Sequence, residues 1–213
     1  MNNYGIKPQV ITNIPIDCKE MLFYMYLPIK MIGSMEFRLP EQLKVFQPLI
    51  DLVIKHEGEK LKDKLVYITA KHIYASPDNV GNRPGYHSDG YGTDDVNYIW
   101  TNKFPTVFCI QNFNLSEDCS TSLTQMKEQA LKTNEITFPV NTLLRLDELN
   151  VHRTPDIEVG GMRTFVKISI STEKYNLVGN SHNYLFDYDW KMFDRCEIRN
   201  HPTLLESDSI KYE

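Results

Sequence analysis

The chain has 213 residues, 41% of them hydrophobic and 24% charged, with a formal net charge of −5. That length allows one domain with a sizeable core, and the acidic balance argues against a general binder of nucleic acid or anionic membrane. The N-terminus lacks the basic-then-apolar layout of a signal peptide and no apolar run approaches the ~20 residues of a membrane span; four cysteines without CxxC spacing (Cys18, Cys109, Cys119, Cys196) read as reduced thiols of a cytoplasmic protein.

Residues 1–20, with Pro8 and Pro15, read as an extended lead-in. The aromatic run at 22–27, interrupted by Pro28, predicts an edge strand or a pair of short strands. Pro40 and Glu41 open a helix in which Leu43, Phe46, Leu49, Ile50, Val53 and Ile54 repeat at helical spacing. It should end near Glu57, before Gly58, with Pro48 able to kink it. Residues 65–74 are β-rich and contain His72, expected as a strand histidine on a partly exposed face rather than a ligand. A turn-rich segment follows, then a short strand at 106–110, a helix or loop at 122–132 and a strand at 138–147.

Residues 157–164 read as a hairpin turning at Gly160-Gly161, a pair that meets the positive-φ demand of a type I′ turn. Beyond it the strand alternates, with Thr164, Val166, Ile168 and Ile170 on one face and Arg163, Phe165, Lys167 and Ser169 on the other. The tail carries Tyr184, Phe186, Tyr188, Trp190 and Phe193 and reads as a segment wrapping the core. Strands outnumber helices and most connections carry turn signals, which favours a sandwich or jelly roll with covering helices.

The chemistry concentrates at Gly85-Tyr86-His87-Ser88-Asp89-Gly90 and at His152. On extended backbone His87 and Asp89, two apart, share a face. His152 follows a β-like run, as a ligand at a strand end would. Two histidines and one carboxylate on one face of an ion, other positions open, are the ligand set of non-haem Fe(II) oxygenases. Each residue also has a plain structural reading: Asp89 as a turn residue, His152 and Arg153 as a polar rim, Arg163 paired with Glu158 or Asp156 across the hairpin. The four together, in this order, favour a site.

Those residues resemble the signature of the Fe(II)/2-oxoglutarate-dependent dioxygenase superfamily, H-x-D…H followed by a basic residue, over roughly residues 65–172. Sixty-two residues separate Asp89 from His152, and ten separate His152 from Arg163. The prolyl-hydroxylase-like and phytanoyl-hydroxylase-like branches lie nearest. The resemblance implies a mainly β double-stranded β-helix (jelly roll, cupin-like) forming one domain. Its core would lie at about 65–172, with a strand–helix region at 1–64 before it and a wrapping segment at 173–213 after it. It further implies Fe(II) held by His87, Asp89 and His152, O2 and 2-oxoglutarate as co-substrates, and Arg163 as the fork on the distal carboxylate.

Many members carry Arg-x-Ser, whereas here Phe165 stands two after the arginine, so a hydroxyl partner would come from Thr106, Tyr98 or Ser169. Tyr86, Tyr91, Asp94, Asp95, Asn97 and Trp100, with Arg145 and Arg153, are candidate contacts to the substrate, a small organic molecule foremost, with a nucleotide or a peptide side chain as the other classes. Two alternatives stand beside the oxygenase. One is a β-helix binding or structural protein without redox work. The other is a zinc hydrolase on the same ligands with Asp94 or Asp95 as base.

Overall fold

The structure, a computed structural model, describes residues 3–195; Cys196 and the rest of the tail lie outside them. The strands are β1 (Gln9–Asn13), β2 (Leu22–Lys30), β3 (Leu65–Ala75), β4 (Val96–Thr101), β5 (Val107–Cys109), β6 (Glu135–Thr137), β7 (Thr142–Leu146), β8 (His152–Arg153) and β9 (Gly161–Ser171). Two α-helices, α1 (Gln47–Glu57) and α2 (Cys119–Gln129), interrupt them. One sheet has the order β1-β7-β4-β9-β3-β2 and the other β6-β5-β8. An isolated bridge between His87 and His152 extends the smaller sheet beyond β8.

The pairings define a jelly roll. Moving inward from both ends of the core, β3 pairs with β9, His87 with β8, β4 with β7, and β5 with β6, all antiparallel. β9 also pairs with β4, and β8 with β5. Successive layers of this wound hairpin therefore fall alternately into the two sheets, which is the double-stranded β-helix. β1 and β2 add an outer strand at each edge of the larger sheet.

The strand period of two divides the core. One face of the larger sheet, with Ile68, Ala70, Trp100, Val166 and Ile168, packs under Leu43, Phe46, Leu49, Ile50 and Val53. The other face looks into the roll, where Ile99, Leu144, Leu146 and Phe165 meet Phe108 of the smaller sheet. A third cluster, Cys109, Phe113, Met126 and Val151, lies under α2. Each Val, Leu, Ile, Phe or Met side chain so buried contributes roughly 1.5–3 kcal/mol.

The helix predicted from Pro40 begins as a 3-10 stretch, Glu41–Phe46, and Pro48 falls in the first turn of α1. No intrahelical donor is needed there, so Pro48 starts the helix instead of kinking it. Gly58 ends it at φ +58°. The expected hairpin is corrected: residues 157–159 form no strand, and neither Gly160 nor Gly161 has a positive φ. β9 turns away from β8 because the winding sends them to different sheets. Gly160 answers to space instead; a Cβ there would lie 2.8 Å from the Tyr74 ring and 2.9 Å from the Ala75 carbonyl. His72 is buried, its Nδ1 2.8 Å from the Thr164 hydroxyl, and not partly exposed as expected.

Candidate metal centre

His87 and His152 are direct cross-strand partners, joined by two backbone hydrogen bonds of 2.9 Å each. Residues opposed in this way project to the same side, and the ring centroids lie 4.5 Å apart. Asp89, two residues on, returns to that side. Positive-φ glycines, Gly85 and Gly90, flank the segment and let the chain turn in and out of its short extended stretch. One ligand atom from each of the three side chains lies within 4.8 Å of the other two.

Both imidazoles are locked the same way. Nδ1 of His87 is 2.9 Å from the Gly85 carbonyl, and Nδ1 of His152 is 2.9 Å from the Asn150 carbonyl. A carbonyl only accepts, so each Nδ1 carries the proton and each Nε2 keeps its lone pair for an ion. Burial, reinforced by the neighbouring His152, pushes His87 down to about 3, and burial also lowers His152. Both rings are therefore neutral at physiological pH, as ligation requires. Burial alone would raise Asp89, but the Lys167 ammonium outweighs it and holds the carboxyl ionised.

Lys167 is the residue sequence reasoning left unassigned. Its Nζ sits 3.1 Å from each Asp89 oxygen and donates to the Tyr26 hydroxyl at 3.1 Å. Alternation on β9 had already placed it on the face of Arg163, which was the available signal. Tyr26 gave none, because a register shift in β2 between Tyr24 and Leu27 re-aims it. Lys71, opposite Phe165, adds a third cation to this interior; burial and then Lys167 and Arg163 push it down to about 8.

Arg163 is 2% exposed, with no carboxylate partner among the described residues. Nε donates to the Lys103 carbonyl at 3.1 Å, Nη1 to the Val80 carbonyl at 3.4 Å, and buried Nη2 has no partner among the described residues. Burial lowers it to about 10. The alternative pairing with Glu158 or Asp156 does not form. A buried guanidinium with an idle N–H is the donor set an anion would complete.

Other expected residues divide. Asn97 and Ile99 stand opposite Ser169 and Lys167 and look into the roll, and Ser169 donates to Asn97 at 2.6 Å. Asp95 accepts from Tyr175 at 2.6 Å, its other oxygen buried without a partner among the described residues. Thr106 lines a small cavity beside Phe165 and Leu144. Tyr98, Trp100 and Arg145 are corrections: they occupy the opposite face of the larger sheet. Tyr98 donates to Glu57 at 2.5 Å, Arg145 to the same oxygen at 2.7 Å, and Trp100 to the Ile14 carbonyl at 2.9 Å. The reason is strand parity, since neighbours along β4 and β7 point to opposite faces. Tyr86 and Arg153 are engaged with Glu135, Tyr91 stacks on Tyr4, and Asp94 is paired with Lys64 on the surface.

No protein-family model matches the chain, and no curated protein does. The solved structures that match include two of EvdO2 from Micromonospora carbonacea var. aurantiaca. One has 13% identity and a TM-score of 0.37 over 62% of this chain and 66% of that one. The other, complexed with 2-oxoglutarate, has 14% identity and a TM-score of 0.38 over 63% and 68%. The chain spans just under two thirds of the first of these. The jelly-roll assignment stands on the strand pairing. No helix among the described residues is long and apolar enough to cross a membrane.

Proposed function

We propose that this chain is a non-haem Fe(II)- and 2-oxoglutarate-dependent oxygenase that hydroxylates a small organic substrate, with release of succinate and CO2. The observation that carries the reading is the convergence of His87, Asp89 and His152 within 4.8 Å, with both Nε2 atoms left unprotonated. When bound, Fe(II) with 2-oxoglutarate and O2 supplies the oxidising chemistry. The chain does the rest. His87 and His152 present fixed lone pairs, and Asp89 contributes one negative charge. Lys167 holds the Asp89 carboxylate in place.

Arg163 suits the distal carboxylate of the co-substrate. It lies four residues from Lys167 on the same face of β9, about 13 Å along the strand, and its idle Nη2 and forked donors match a carboxylate. The test is succinate formation from 2-oxoglutarate with added Fe(II), expected in the wild type and lost in His87→Ala and Asp89→Ala. Wild-type turnover by either variant would sink the reading.

One observation favours a second reading. The Lys167 ammonium already satisfies both Asp89 oxygens, as it would in a binding protein that works without metal. Metal analysis of protein purified without chelators, followed by anaerobic 2-oxoglutarate titration, separates the two. The hydrolase reading loses one of its candidate bases, since Asp94 is engaged with Lys64 at the surface.

A further inference from the structure

Tyr26 lines a cavity of about 270 Å³. Five aromatic rings line it, Tyr26, Tyr175, His182, Tyr188 and Trp190, together with Pro28, Val178 and Met192. They are mutually braced. Tyr26 meets Tyr175 edge-on at 5.0 Å, His182 stacks on Tyr188 at 4.4 Å, and Tyr188 lies 4.6 Å from Trp190. Tyr175 is fixed from behind by a stack on Tyr67 and a hydrogen bond to Asp95. The chain that builds the outer wall is pinned to β2: Ser181 exchanges two hydrogen bonds with the Met25 backbone, and Asn183 donates to the Pro28 carbonyl.

Tyr26 joins this cavity to the triad. Its hydroxyl accepts from Lys167, which holds Asp89. Its backbone sits at φ +48°, in the left-handed region, at the register shift of β2. A non-glycine residue there is strained, and such strain clusters at functional sites. The bulge holds one ring in the wall of the cavity and at the flank of the metal centre together.

We infer that this cavity is the substrate chamber and that it takes a planar, uncharged ring compound. The inference rests on the oxygenase reading for the word substrate, but not for the binding. The size fits, since an apolar cavity of about 150 Å³ admits one benzene ring, leaving room here for a substituted or fused ring. Aromatic walls reward a flat partner in offset or edge contact. Among the described residues, the lining holds no carboxylate to neutralise a cation. Two ammonium groups stand close by, Lys167 behind Tyr26 and Lys174 over Trp190 at 5.9 Å, and both repel one. Lys167 is committed to Asp89, so it does not call for an anion either.

The test uses metal-free full-length protein and five probes: indole, 4-methylphenol and uracil as neutral rings, with benzyltrimethylammonium and benzoate as charged controls. Calorimetry should detect at least one neutral ring, weakened tenfold or more by Tyr188→Ala or Trp190→Ala. The bound ring should also shield Trp190 emission in the wild type from acrylamide quenching, a readout that survives if either variant fails to fold. No binding by any neutral ring, or binding without protection of Trp190, overturns the inference. Tighter binding of either charged control overturns the ligand class. With Fe(II) and 2-oxoglutarate added, the bound ring should raise succinate formation at least tenfold. Binding with no stimulation of an otherwise active enzyme removes the ring from the reaction. An enzyme inert towards 2-oxoglutarate under every condition fails the oxygenase reading while leaving the ring site standing.

Discussion

At the scale of single residues, the chemistry turns on what the charged side chains of the interior face. Lys167 and Asp89 satisfy each other inside the roll. Removing one partner of a buried pair leaves the other uncompensated, at a cost of about 3–5 kcal/mol. Lys167→Met should therefore lower the urea stability of metal-free protein by that order, and a divalent ion should restore most of it by taking the ammonium's place beside Asp89. A variant as stable without metal as the wild type would show the pair to be idle. Arg163 predicts the reverse pattern. Its Nη2 already lacks a partner among the described residues, so in Arg163→Met relief of the buried, uncompensated charge offsets the lost bonds to the Lys103 and Val80 carbonyls, and stability should change by no more than about 1 kcal/mol while anaerobic 2-oxoglutarate binding weakens sharply.

The two histidines set a pH dependence. Burial holds both below their ordinary value, His87 at about 3. The unfolded chain takes up those protons near 6.5. The unfolded state thus binds more protons below about 6.5, and stability falls as pH drops from there towards 3. Urea midpoints of metal-free protein at pH 7 and pH 5 should show this decline, and His152→Gln should shrink it.

At the scale of elements, α1 is tied to the sheet at both its face and its end. Leu49, Ile50 and Val53 fill the groove over the larger sheet, so Leu49→Ala should cost roughly 2–5 kcal/mol in denaturant melts. At the C-terminal end Glu57 accepts from both Arg145 and Tyr98. Burial would raise Glu57, but those two donors outweigh it and keep the carboxyl below its usual range. Arg145→Leu should destabilise by about 3 kcal/mol or more, and adding Glu57→Gln should recover part of the loss. β2 carries the other element-level device, the bulge that points Tyr26 at Lys167. Edge strands tolerate such irregularity because one side owes no hydrogen bonds to a neighbour.

At the scale of the molecule, the jelly roll brings together groups far apart in the chain. β8 carries His152 against His87, while β9 returns Lys167 and Arg163 through the other sheet. The C-terminal segment closes the aromatic cavity against β2. The sequence by itself determined the spacing of His87, Asp89, His152 and Arg163, the apolar stripe of α1, and the two faces of β9. Those are local properties, set by a period of two or of 3.6 and by the chemistry of each side chain. Only the tertiary structure decided which strand stands opposite which. It turned the Gly160-Gly161 pair from a hairpin into a close crossing, sent Tyr98, Trp100 and Arg145 to the outer face, and set Lys167 and Tyr26 beside Asp89. Pairing between distant strands depends on the winding of the whole chain and on a bulge of one residue, and neither leaves a periodic trace in the sequence.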